Sequence, residues 1–99
     1  VAEENLREKR FKKSASIVAR KVAEEFILVP IRKRSTDLGS IYALNPVGAF
    51  VWECIDGSRK IVDIRDAVVG EFDVVPEVAE KDVLELIGEL LGIGALDEV

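Results

Sequence analysis

NPVGAFVWECIDG, residues 45–57, decides how the rest of this chain is arranged. Asn45 is suited to cap a helix by accepting a hydrogen bond from a first-turn amide. Pro46 follows at the first helical position, where a missing N–H costs nothing. Val47, Phe50, Val51, Cys54 and Ile55 recur at helical spacing and predict one apolar face. Asp56-Gly57 ends the run, with Gly57 free to take a left-handed conformation. Upstream of this helix the chain reads as strand and turn. Downstream it reads as mostly helix, so residues 45–57 are expected to pack against both halves.

Upstream, residues 40–44 (SIYAL) predict a third strand, with Ile41 and Ala43 on one face and Ser40, Tyr42 and Leu44 on the other. Before it come two more strands. SIVARKV (16–22) starts on Ile17 and Val18, and EFILVPI (25–31) is rich in β-branched and aromatic side chains. Ala23-Glu24 supplies a tight turn between them. Pro30 cannot donate to a ladder, which argues for a strand end or an edge. Residues 32–39, RKRSTDLG, form a polar connection with Gly39 as its turn residue. Its three adjacent cations read either as a solvated loop or as a contact for an acidic partner. Residues 1–13, VAEENLREKRFKK, are charged and short of apolar anchors. They are expected to form a frayed arm or a solvated helix, disordered or loosely docked, with one favourable i,i+4 pair, Glu8–Lys12. A nucleic-acid-binding arm is the alternative, and residues 14–99 are expected to form one domain.

Downstream, Ile61, Ile64, Ala67 and Val68 mark a second helix ending near Gly70, with Phe72 closing over it. Lys60 stands where a cap is expected and cannot serve as one. Pro76 starts the third helix, and Glu77 and Glu80 suit its positive end. Ala79, Val83, Leu86, Ile87 and Leu90 form its apolar stripe. Val78, Lys81, Asp82, Glu85 and Glu89 take the outer faces. Gly92-Ile93-Gly94 stops it, and Ala95-Leu96 predicts a short closing strand. The expected core includes Phe50, Val51, Ile64, Val83, Leu86 and Leu90.

The chain has 99 residues, 48% of them hydrophobic and 33% charged. That suits one globular domain with an adequate core. No apolar run reaches transmembrane length, and the charged first residues do not make an export signal. A cytoplasmic protein away from membranes is expected. There is no histidine and one cysteine. This removes the usual zinc sites and the commonest general base, and it rules out an internal disulfide. Cys54 reads as a core thiol rather than a nucleophile, since no histidine can activate it. The expectation is no catalytic residue, no metal and no cofactor. Residues 1–45 hold ten basic and six acidic side chains, and residues 46–99 hold four and thirteen, so the halves carry +4 and −9.

Three strands, then three closely spaced helices, then a small extended segment suggest an α+β fold. The expected form is a winged helix-turn-helix with an N-terminal three-stranded antiparallel sheet. The chain resembles the PqqD family through ALNPVGAFVWECIDG (43–57), KIVDI (60–64) and EFDVVPEVAEKDVLELIGELLGIGAL (71–96). The resemblance covers roughly Ile17 to Leu96. Its most specific pieces are Leu44-Asn45, Asp56-Gly57, the Phe72 to Pro76 link and Asp82-Val83. Lys60, Val75 and the basic segment from Leu6 to Lys13 depart from the family pattern.

The resemblance implies a non-catalytic chaperone. Such a chaperone binds a ribosomally made precursor peptide by its leader and presents it to a radical S-adenosylmethionine enzyme in pyrroloquinoline quinone synthesis. A divergent relative serving another modified peptide fits as well. It also implies that the peptide adds as a strand beside Ser40, Ile41, Tyr42, Ala43 and Leu44 and lies against Val78, Asp82 and Glu85. An open sheet edge with apolar side chains supports capture of this kind. The same edges allow a structural module or a homodimer. A DNA-binding winged helix is the remaining alternative. The third helix argues against it, because its exposed groups are carboxylates apart from Lys81 and phosphate neutralisation needs cations.

Overall fold

Among the described residues, the strand content divides into two small antiparallel sheets, and three full-length helices hold them together. The computed structural model describes residues 6–30 and 41–99. Ser40, Gly39 and the Arg32–Arg34 cluster lie outside the described residues. The elements, in order, are β1 (Phe11–Lys13), β2 (Ile17–Val22), β3 (Glu25–Pro30), β4 (Tyr42–Leu44), α1 (Pro46–Cys54), α2 (Ile61–Phe72), α3 (Pro76–Gly92) and β5 (Leu96–Glu98). The fold is therefore mixed α+β.

The three-stranded sheet has the order β2-β3-β4, antiparallel throughout. Val22 pairs with Glu25, so Ala23-Glu24 is a two-residue hairpin turn. Ala23 takes φ 56°, a left-handed conformation that an alanine adopts at a cost of about 1–2 kcal/mol. Pro30 pairs with Ile17 at the last position of β3, so its missing donor is tolerated at a strand end within a central strand. Leu28 lies opposite Tyr42, and Phe26 opposite Leu44. With period-2 alternation, one face presents Ile17, Ala19, Phe26, Leu28, Tyr42 and Leu44 to the helices.

β1 and β5 form the second sheet, with Phe11 opposite Glu98 and Lys13 opposite Leu96. The segment expected as a charged arm thus ends in a strand. Phe11 is only 3% exposed. The residues around it are joined to the α1–α2 link by their main chain. Gly57 donates to the Phe11 carbonyl at 2.8 Å and Ile61 to that of Lys9 at 3.1 Å. The Lys9 carbonyl therefore accepts from the first residue of α2, one of the orphan donors of a helix start. Lys60 contributes no side-chain cap, as expected, and the compensation comes from Asp63, whose carboxylate accepts from the Lys60 amide at 3.0 Å. This is half of a capping box, working backwards from the N3 position.

α1 is capped by Asn45, whose side-chain oxygen accepts from the Gly48 amide at 2.7 Å. Its inward face is rotated from the predicted one. Gly48, Val51, Trp52 and Cys54 are buried, followed by Ile55 just beyond the helix. Trp52 was not on the predicted stripe. Gly48 has no side chain to show periodicity, so the line 48–51–52–55 is hard to see in sequence. A Cβ on Gly48 would lie 3.2 Å from both Leu44 Cδ2 and Asn45 Oδ1, so the glycine permits α1 to sit close against β4. α2 runs two residues past Gly70 and ends at Phe72, with Asp73 in the left-handed region at φ 56°. Phe72 meets Phe50 edge-on, with centroids 5.4 Å apart. Both rings are half-buried.

The core is continuous from Phe11 and Leu96 through Ile61, Ile64 and Val68 to Ala79, Val83, Ile87 and Leu90. Of the six expected core positions, Val51, Ile64, Val83 and Leu90 are buried. Phe50 and Leu86 are only half-buried. Leu86 turns out to lie at the edge of the α3 stripe, where it faces a groove.

Candidate functional site

β4 is three residues long because Asn45-Pro46 turns the chain into α1 immediately after it. It pairs with β3 on one side, and among the described residues no strand covers its other side. Beside that open edge lies a groove of about 230 Å³ between β4 and α3. Tyr42, Ala43 and Leu44 form the strand wall, and Asp82, Glu85, Leu86 and Glu89 the helix wall. Asn45, Val47 and Gly48, from the start of α1, close one end.

The structure thus gathers five predicted residues, Tyr42, Ala43, Leu44, Asp82 and Glu85, around one groove. Two others, Ile41 at 60% and Val78 at 47% exposure, are surface residues outside its lining. Ser40 is outside the described residues. Sequence reasoning did not single out Val47, Leu86 and Glu89 for this site. Leu86 and Val47 were assigned to helix cores, and Glu89 was one of several surface carboxylates. Glu89 does fall seven residues after Asp82, two helical turns along the same side, which is the signal that would have found it.

The electrostatics of the groove are one-sided. Among the described residues, three carboxylates line it and no Lys or Arg does. The Tyr42 hydroxyl donates to Glu89 Oε1 across the groove, tying strand wall to helix wall. Desolvation, then this hydrogen bond, then the Glu89 charge push the phenol up to about 12. At neutral pH the hydroxyl is a fixed donor.

Another side of α3 behaves differently. Arg7, Arg65, Glu77, Glu80, Lys81 and Leu84 are among the residues lining a wider cleft of about 680 Å³. There Glu80 accepts from Arg7 and, at 2.9 Å, from Arg65. The Arg7 and Arg65 hydrogen bonds hold its carboxyl below the usual range. Cations and anions in that cleft neutralise each other. Among the described residues no group of His, Cys, Asp and Glu side chains is placed to hold a metal ion. No described helix is long and apolar enough to cross a membrane.

The family model for coenzyme PQQ synthesis protein D (PqqD) matches residues 25–96, from β3 into β5. The chain belongs to the PqqD family. Two solved structures have similar folds. One is TbiB1 in complex with the TbiA(beta) leader peptide, with a TM-score of 0.70 and 23% identity, covering 87% of this chain and 94% of that one. The other is lasso peptide synthetase B1 complexed with the leader peptide, with a TM-score of 0.73 and 19% identity, covering 89% and 98%. No curated protein sequence gives a match.

Proposed function

We propose that this protein is a non-catalytic carrier that binds the leader of a ribosomally made precursor peptide by strand addition to β4. The observation that carries this reading is the state of the two outer strands. β2 is the other edge of the sheet, and it displays Arg20 and Lys21, both exposed. Charged side chains, Lys above all, are how proteins guard an edge against another strand. β4 has none. Its Tyr42-Ala43-Leu44 backbone is uncharged and adjoins a groove able to take side chains. Main-chain bonds along such an edge supply affinity, and the groove supplies selection.

Family membership and the leader-peptide complexes of the two similar folds support the same reading. The peptide runs antiparallel to residues 40–44, with side chains reaching α3 near Val78, Asp82 and Glu85. The carrier presents its cargo to a separate modifying enzyme, a radical S-adenosylmethionine protein if the pathway is that of pyrroloquinoline quinone. The three helices and the β1–β5 pair serve as a winged helix-turn-helix scaffold used for peptide rather than DNA. The carboxylates of α3 disfavour a phosphate backbone.

The test is amide chemical-shift mapping with the leader of a precursor encoded beside this chain's gene. Signals of Ile41, Tyr42 and Ala43 should move together with those of Val78 and Asp82. Movement confined to Asp63, Asp66 and the rest of α2 would overturn the placement, however tight the binding.

A further inference from the structure

Under this strand-addition reading, the walls of the groove also specify what kind of peptide fits. The inner wall is apolar, formed by Leu44, Val47 and Leu86. Asp82, Glu85 and Glu89 stand at i, i+3 and i+7 of α3, so they follow one side of the helix. Elsewhere among the described residues, five carboxylates meet the chain's own cations, among them the four that follow. Glu80 is held by Arg7 and Arg65, Glu98 by Lys9, Glu8 by Lys60, and Asp66 by Arg65. Among the described residues, none of the three groove carboxylates has a cationic partner, and Glu89 accepts one hydrogen bond, from Tyr42. A groove lined by one sign of charge between low-dielectric walls concentrates its field on whatever enters.

We propose that the groove selects a peptide with a Lys or Arg side chain directed at Glu89 and an apolar side chain two residues away, seated on Leu86 and Val47. Spacing supports this arrangement. Same-face residues of a strand lie about 6.6 Å apart, and the rise from Leu86 to Glu89 along α3 is about 4.5 Å. One peptide side chain can therefore reach each. Tyr42 acts as a positioning residue. A carboxylate has lone pairs to accept from both a phenol and an ammonium or guanidinium group. The Tyr42 hydroxyl holds Glu89 against the strand wall, where the arriving cation meets it with no rotamer search.

A random peptide library selected against the whole chain, with the winners mapped by amide shifts, tests this. Winners that move Ile41, Tyr42 and Ala43 should share a Lys or Arg two residues from an apolar residue. Changing that cation to Gln should weaken binding about fivefold, the range of a solvent-accessible ion pair, and less at high salt. Glu89→Gln should remove the preference, and Glu89→Lys should restore binding of a peptide whose cation is changed to Glu. Tyr42→Phe should narrow the Lys-to-Gln ratio, and an unchanged ratio would show that the hydroxyl does not position Glu89. Winners that map to β4 yet show no cation overturn the charge rule and leave strand addition standing. Winners that map away from β4 overturn both.

Discussion

Tyr42 is the only tyrosine in the chain, so its ionisation can be followed by ultraviolet absorbance without interference from another phenol. Its folded-state value of about 12 lies above the ordinary 10 because burial and the Glu89 carboxylate both favour the neutral form. The stabilisation this implies is fully present below pH 10. It is lost as pH rises from 10 through about 12, where the folded phenol finally ionises. Glu89→Gln should lower the midpoint towards 10; an unchanged midpoint would show that desolvation alone sets it. Cys54 offers a second single-residue probe. It is 5% exposed, and burial pushes its thiol up, partly opposed by Arg59. Thiolate is the reactive form, so a small thiol reagent should label the folded protein far more slowly than the unfolded one. Equal rates would place Cys54 at the surface.

At the scale of the elements, α3 presents a core face and a groove face side by side. Ala79, Val83, Ile87 and Leu90 are wholly buried, and one step round the helix Leu86 opens onto the groove. Ile87→Ala should cost about 2–5 kcal/mol in denaturant melts, through lost transfer energy and a cavity. Leu86→Ala should cost clearly less stability and instead weaken peptide binding. The reverse ranking would mean that α3 is rotated from the orientation described. The start of α2 shows a complementary economy of parts. Lys60 is a poor cap residue, yet the helix begins there because Asp63 accepts from the Lys60 amide and Lys9 offers its carbonyl to Ile61. One of these partners is three residues away. The other comes from residues 6–13, whose sequence by itself predicts no such contact.

Across the whole molecule, the uneven charge of the chain resolves into a docking code. The basic segment before β2 meets the acidic helical half through Arg7–Glu80, Lys9–Glu98 and Lys12 opposite Asp97. Exposed ion pairs of this kind contribute little individually. The main energy of the docking is apolar, from Phe11 sealed against the core, with Lys13 stacked over Trp52 at 5.6 Å. Phe11→Ala should therefore lower stability by about 3–5 kcal/mol, with a cooperative transition retained. A loss within about 0.5 kcal/mol, as for a surface change, would return residues 6–13 to the status of a loose arm. What the sequence determined by itself was local: the Asn45-Pro46 helix start, the hairpin at Ala23-Glu24, the three helices and their order. Each follows from contacts within a few residues, where capping, proline geometry and periodicity act. Tertiary structure alone decided that Trp52 faces inward, that Phe11 is core, and that Leu86 lines the same groove as Tyr42. Those outcomes depend on how closely Gly48 lets α1 approach β4 and on which strand the first residues reach. Such distances are set between segments far apart in the chain, and no spacing within either segment records them.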